Sequence, residues 1–224
     1  MKRLITTAAF ILLVLSCGTS SDPIGPSPST DAEFYPMTVG NQWVYSRIGT
    51  IMDGDSLTGT LTGSCTLEIT GTETHSEGFD VFVQENAVTD TLVMGSMVMI
   101  IDTTYTDYLR ITDTGLLGYP HLTDTDSSFT VPFPIVSGAV WNFSEEPPMT
   151  GTVLSTSVNV TVSAGTFEDC IEIQLTWIQG GNTVSNTMDS ARNVGKVRNV
   201  FIQSTGAMIT TITEELQSYS VSVF

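Results

Sequence analysis

From Phe34 to the C-terminus, apolar and polar side chains alternate with a period of two, and no helical stripe persists beyond about two turns. Leu61, Gly63, Cys65, Leu67 and Ile69 share one face of a strand. Its other face carries Thr60, Thr62, Ser64, Thr66 and Glu68. The same alternation sets Val158, Val160 and Val162 against Asn159 and Thr161. It also sets Ile171, Ile173, Leu175 and Trp177 against Glu172, Gln174 and Thr176. Val81 and Val83, Leu92–Ile101, Tyr105–Ile111, Val197–Ile202 and Met208–Leu216 supply further strand segments. Turn residues punctuate them at Gly95-Ser96, Ala164-Gly165, Gly180-Gly181-Asn182 and Thr205-Gly206. One covered face per strand is the signature of antiparallel sheet, so the pattern predicts an all-β, mainly antiparallel single domain. A curved sheet, half-barrel, barrel or sandwich would each satisfy it.

The first residues follow a different pattern. Lys2-Arg3 precede an apolar run from Leu4 to Leu15, too short to span a bilayer and ordered as a secretory signal. The run closes on Val14-Leu15-Ser16-Cys17-Gly18, which resembles the lipobox of bacterial lipoproteins. That resemblance implies cleavage between Ser16 and Cys17, diacylglycerol on the Cys17 thiol, and an acyl chain such as palmitate on the new N-terminus. Two or three chains anchor stably where one is marginal. Gly18 in place of Asp implies, by the enteric sorting pattern, the outer rather than the inner membrane. The residues after Cys17 are rich in Pro, Ser and Gly and lack periodicity, which predicts a disordered tether spanning roughly 20–25 Å as a coil. The chain therefore divides into a signal helix over 1–16, lipidated Cys and tether over 17–33, and a β domain over 34–224.

One motif occurs twice in that domain, as a two-fold internal repeat or two independent turn-to-strand entries would each produce. Tyr35-Pro36-x3-Gly40-x2-Trp43-x-Tyr45 recurs as Phe133-Pro134-x3-Gly138-x2-Trp141-x-Phe143. Each copy reads as a Pro-led turn, a Gly bend and a strand whose aromatic residues face the core, making Gly40, Trp43, Tyr45, Gly138, Trp141 and Phe143 structural. The stretches FYPMTVGNQWVY, FPIVSGAVW, VSAGTFEDCIEIQ, NVGKVRN and ITEELQSY resemble an uncharacterised bacterial lipoprotein domain. Its members carry a YFPLxVGxxWxY opening, a VPAGTFxxC strand pair and a late GVGLV turn. Ser163 stands where that family often has Pro, and Lys196 where it often has Leu. A looser similarity is to the curved antiparallel sheet of the lipoprotein carriers LolA and LolB. Neither resemblance implies an activity, because fold does not deliver function.

Composition then narrows the function. Of 224 residues, 24 are acidic and 7 basic, a net charge of −17, and loss of Lys2 and Arg3 with the signal takes it to −19. No basic face exists to meet phosphate, so a nucleic-acid partner is not expected. Electrostatics would not hold the domain to an anionic membrane either, which leaves the acyl chains on Cys17 as the membrane partner. With 41% hydrophobic residues the chain has ample core.

The remaining chemistry is sparse. Cys65 shares a face with Leu67 and Ile69 whereas Cys170 is out of phase with Ile171 and Ile173, so a Cys65–Cys170 disulfide is not expected. His75 and His121 are the two histidines, both in turn-like stretches. Motifs of zinc proteases, α/β-hydrolases and thioredoxins are absent. The acids between Asp90 and Asp126 read as a solvated face. Asp53, Asp55, Asp124 and Asp126 are weak candidates for a metal such as calcium, well short of an EF-hand loop, so no metal or cofactor is expected. Nothing local favours a paired-carboxylate glycan-active site. The expectation is a lipid-anchored envelope lipoprotein and not an enzyme, its β domain binding a lipid, peptide or partner protein. The alternative is a self-packed structural domain without ligand.

Overall fold

A computed structural model describes residues 30–145 and 148–222. The signal segment with Ser16 and Cys17 lies outside the described residues. The chain opens with a 3-10 turn, Thr30–Phe34, and continues as twelve strands. These are β1 (Gln42–Asp53), β2 (Ser56–Thr74), β3 (Asp80–Met94), β4 (Met97–Thr112), β5 (Gly115–Tyr119) and β6 (Phe129–Pro132). They are followed by β7 (Val140–Glu145), β8 (Pro148–Val162), β9 (Gly165–Gln179), β10 (Asn182–Ala191), β11 (Gly195–Thr205) and β12 (Met208–Ser220). All pairings are antiparallel, in the order β6-β5-β4-β3-β2-β1-β12-β11-β10-β9-β8-β7. The all-β expectation holds, and its form is a nearly closed barrel-shaped sheet with β6 and β7 as the two edges.

Strand order exposes two six-stranded meanders, β1–β6 and β7–β12. They are zipped together along β1 and β12, where Gln42 faces Ser220 and Asp53 faces Met208. The repeated motif opens each meander with the same backbone bonds. Gly40 N donates to Ile69 O at 2.7 Å, and Gly138 N to Val153 O at 2.8 Å. Asn41 N reaches Thr38 O at 3.0 Å as Ala139 N reaches Val136 O at 3.0 Å. Ile69 N reaches Asn41 O, and Val153 N reaches Ala139 O, both at 2.9 Å. Gly40 and Gly138 hold φ of 91° and 80°, and a Cβ at either would meet open space, so conformation rather than crowding demands glycine there.

The copies diverge at the tryptophans. Trp43 Nε1 donates to Val194 O in the β10–β11 turn at 2.5 Å. Trp141 Nε1 donates to Thr130 O at 2.8 Å, crossing from edge strand β7 to edge strand β6. The Trp141 ring lies on Gly151 of β8, where an added Cβ would sit 2.2 Å from the indole. Both edges are short and β6 ends at Pro132, features that blunt an exposed sheet edge.

Two apolar clusters fill the barrel. One gathers Trp43, Tyr45, Cys65, Leu67, Ile69 and Leu216; the other gathers Phe34, Leu109, Leu116, Val131, Val153 and Ile173. Phe34 comes from the 3-10 turn, so Thr30–Phe34 packs with the strands. Arg192 ties this turn down: it donates to Thr30 O at 2.8 Å, pairs with Glu33 at 3.1 Å and lies 4.3 Å from the Phe34 ring centroid. Cys65 and Cys170 are buried and form no disulfide, and Cys170 Sγ donates to Phe167 O at 3.6 Å. Cys170 and Ile171 are buried in succession because β9 is irregular beside Asp169, whose φ is 51°, with a register shift where β8 faces it.

Candidate functional site

Cross-strand partners share a sheet face, so the inward set can be followed around the barrel from Trp43. Trp43 faces Leu67, Tyr45 faces Cys65 and Arg47 faces Gly63 on β2. On the other side Arg47 faces Glu214 of β12, which faces Asn199 of β11. Gly63 faces Asp90 of β3, and a Cβ at Gly63 would strike Thr89 O and Asp90 Oδ1 at 2.2 Å. The barrel interior therefore carries a belt of charge between apolar layers.

Within the belt, Arg47 Nε donates to Asp90 Oδ1 at 3.0 Å and its Nη1 to Glu214 Oε1. Lys196 Nζ donates to Glu214 Oε2 at 2.9 Å, and Asn199 Nδ2 to the same oxygen at 3.3 Å. Lys196 also lies 4.5 Å from the Tyr45 ring centroid, while the Tyr45 hydroxyl donates to Lys196 O at 2.9 Å. Burial pushes the Glu214 carboxyl up, but Lys196, Arg47 and Asn199 outweigh it and hold it below the usual carboxylate range. Burial drives the Tyr45 phenol well above its ordinary value, and Glu214 adds to this. Asp90, read from sequence as part of a solvated face, is 4% exposed. A wide barrel leaves inward positions that side chains of a half-buried ladder do not fill with hydrocarbon alone.

Beside the belt lies a cavity of about 230 Å³. Phe34, Trp43, Leu67, Leu109 and Leu116 form its apolar wall, and Gln84, Asp107, Ser190 and Lys196 its polar side. Asn86, 2% exposed, donates to Asp107 Oδ2 at 3.0 Å and to Tyr105 O and Gln84 O, each at 3.3 Å. Burial raises the Asp107 carboxyl above its ordinary value against the opposing pull of Asn86 and Lys196. A separate, polar hollow of about 350 Å³ lies over β2–β4 among Thr66, Glu68, Glu85 and Thr104.

The residues singled out from sequence scatter. Trp43 and Tyr45 line the cavity, whereas Trp141 and Phe143 pack into the second apolar cluster. Asp53 and Asp55 flank Gly54 in the β1–β2 turn, and Asp124 Oδ2 accepts the His121 N–H at 3.0 Å. Among the described residues no group of three or more His, Cys, Asp or Glu is placed to hold a metal. His75 is buried, stacked 4.5 Å from Phe79 and 4.9 Å from Tyr119, with no partner for Nε2. Sequence reasoning missed Arg47, Glu214, Lys196 and Asp107. The parity Trp43-Tyr45-Arg47 was the one signal that could have found the first.

No protein-family profile matches the chain, and no curated protein matches it. The resemblance to the uncharacterised lipoprotein domain thus rests on the quoted motifs alone. Among solved structures, the chain is similar to a candidate lipoprotein of Parabacteroides distasonis, at 16% identity and TM-score 0.41, over 84% of this chain and 98% of that one. It is similar too to a candidate exported protein with a YmcC-like fold from Bacteroides fragilis, at 14% identity and TM-score 0.41, with the same coverage. Likenesses this distant carry no argument about what the cavity does.

Proposed function

We propose that this protein is a lipid-anchored envelope lipoprotein that holds a small amphipathic ligand in its barrel cavity. The anchor reading is carried by Val14-Leu15-Ser16-Cys17, with acyl chains on Cys17 and, from Gly18, residence at the outer membrane. The binding reading is carried by one observation: an apolar wall and a polar side enclosing about 230 Å³ beside a belt of ion pairs. That volume falls below the roughly 300–1,000 Å³ of pockets for drug-sized ligands, so the occupant is a small molecule or a short apolar segment. Binding is proposed without catalysis and without cofactor. Native mass spectrometry of the protein gently extracted from membranes is expected to show a retained small mass, lost when Met188→Phe fills the cavity. A clean apo mass would favour the self-packed alternative, which the closely packed Trp141 region favours on its own side of the barrel. Metabolic labelling with an alkynyl fatty acid is expected to mark wild type and not Cys17→Ser.

A further inference from the structure

The charges around the cavity do not cancel. Arg47 is engaged by Asp90 and Glu214, and Lys196 by Glu214 and the Tyr45 ring. These two cations and two anions balance within the belt. Asp107 stands outside that balance: among the described residues it has no ion pair, and its one hydrogen-bond donor is the neutral Asn86 amide on Oδ2. Asn86 is itself fixed by two backbone carbonyls, so the carboxylate is held in place while Oδ1 is left without a donor. Lys196 acts on this half-buried anion only through space and without contact; keeping it with no ion pair costs stability, and a site retains such a group where a ligand supplies the missing charge. Phe34, Trp43 and Tyr45 line the same cavity, and Arg192 and Lys196 already lie over the Phe34 and Tyr45 rings, so the free carboxylate oxygen is the cavity's open site for a cation.

We propose that the cavity selects a singly charged ammonium amphiphile, its nitrogen on Asp107 and its hydrocarbon against Trp43, Leu67 and Leu116. The ammonium N–H groups donate to Asp107 Oδ1, with the Gln84 side-chain carbonyl as the adjacent acceptor. This inference rests on the cavity binding a ligand at all and names the charge that ligand carries. An anionic headgroup would face an uncompensated carboxylate, because Lys196 already serves Glu214.

Calorimetric titration of the full chain in nanodiscs, with empty nanodiscs as reference, separates the two readings. The probes are hexylammonium, hexanol and hexanoate at pH 7. Hexylammonium is expected to bind at least tenfold more tightly than hexanol, and hexanoate more weakly than either. Asp107→Asn keeps the amide-compatible shape and is expected to abolish the ammonium preference while hexanol still binds. Asp102→Asn, an exposed neighbour on β4, is expected to leave the preference intact, and a melting curve of each variant reports folding. Equal affinities for ammonium and alcohol, or a preference for hexanoate, would overturn the charge assignment and leave the cavity as a binding site. Failure of all three probes to bind would overturn both.

Discussion

Arg47 shows how a single residue holds opposing strands of this barrel together. Its guanidinium joins β3 through Asp90 and β12 through Glu214 from a position 14% exposed. Truncation would leave buried Asp90 without its cation and Glu214 with Lys196 as its remaining one, and breaking such a cluster from one side costs about 3–5 kcal/mol. Arg47→Met is therefore expected to lower the melting temperature by about 6–20 °C, at roughly 2–4 °C per kcal/mol for a chain of this size. Thermal unfolding followed by circular dichroism measures it. Glu214 and Asp107 have opposite pH signatures. The folded value of Glu214 is depressed, so its contribution is complete above the ordinary 4.5 and is lost as pH falls through the lowered folded value. Asp107 is raised, so its ionised form costs stability above its folded value, and that cost disappears as pH drops below the ordinary 3.8. Asp107→Asn is expected to melt slightly higher than wild type at pH 7, the gain vanishing in acid; a melt no higher at pH 7 would contradict it. Apart from the Trp43-Tyr45-Arg47 parity, none of this was legible from local sequence. Period-two alternation marks a polar position as outward, yet Asp90 and Asp107 point inward because twelve strands enclose more width than hydrocarbon fills.

At the scale of elements, the sequence was more informative. The alternating segments of β2, β8, β9, β11 and β12 fall on observed strands, whereas Leu92–Ile101 spans the β3–β4 turn, and β5, β6 and β10 carried no alternation that was read. The Gly bends before Trp43 and Trp141 are the same turn twice. Because both bends hold left-handed backbone over open space, Gly40→Ala and Gly138→Ala are expected to cost the same, about 1–2 kcal/mol each, by chemical denaturation. Markedly unequal costs would show that the two turns do different structural work despite identical hydrogen bonds. What motif spacing could not convey is the destination of each indole N–H. Trp43 reaches the β10–β11 turn, 151 residues away in sequence, while Trp141 reaches β6 only 11 residues back. Such acceptors depend on closure of the whole sheet. The packing of the Thr30–Phe34 turn was not legible for a like reason, since Arg192 and Phe34 meet only in the fold.

The whole molecule joins two meanders through one long ladder and leaves the equivalent ladder open. β1 and β12 pair along their length, whereas β6 and β7, the counterparts by repeat, meet through the Trp141–Thr130 bond and the connecting residues 133–139. The chain link between the halves thus runs beside the weak seam, and the strong seam lies opposite it. Cutting between Val136 and Ser137 breaks the Ala139 N–Val136 O turn bond and adds loop-closure entropy, but with both halves present it leaves Phe133 bonded to Thr114 and Gly138 and Ala139 bonded to Val153. Each half alone exposes β1 or β12, a bare edge of 12 or 13 residues with apolar inward positions, which templates pairing with other chains. Fragments split between Val136 and Ser137 are therefore expected to aggregate when expressed singly and to assemble one-to-one when co-expressed. Size-exclusion chromatography and a cooperative thermal melt of the pair report the outcome. Soluble, monomeric halves would mean that each meander closes on its own. The β1–β12 ladder would then be a domain interface rather than the spine of a single barrel.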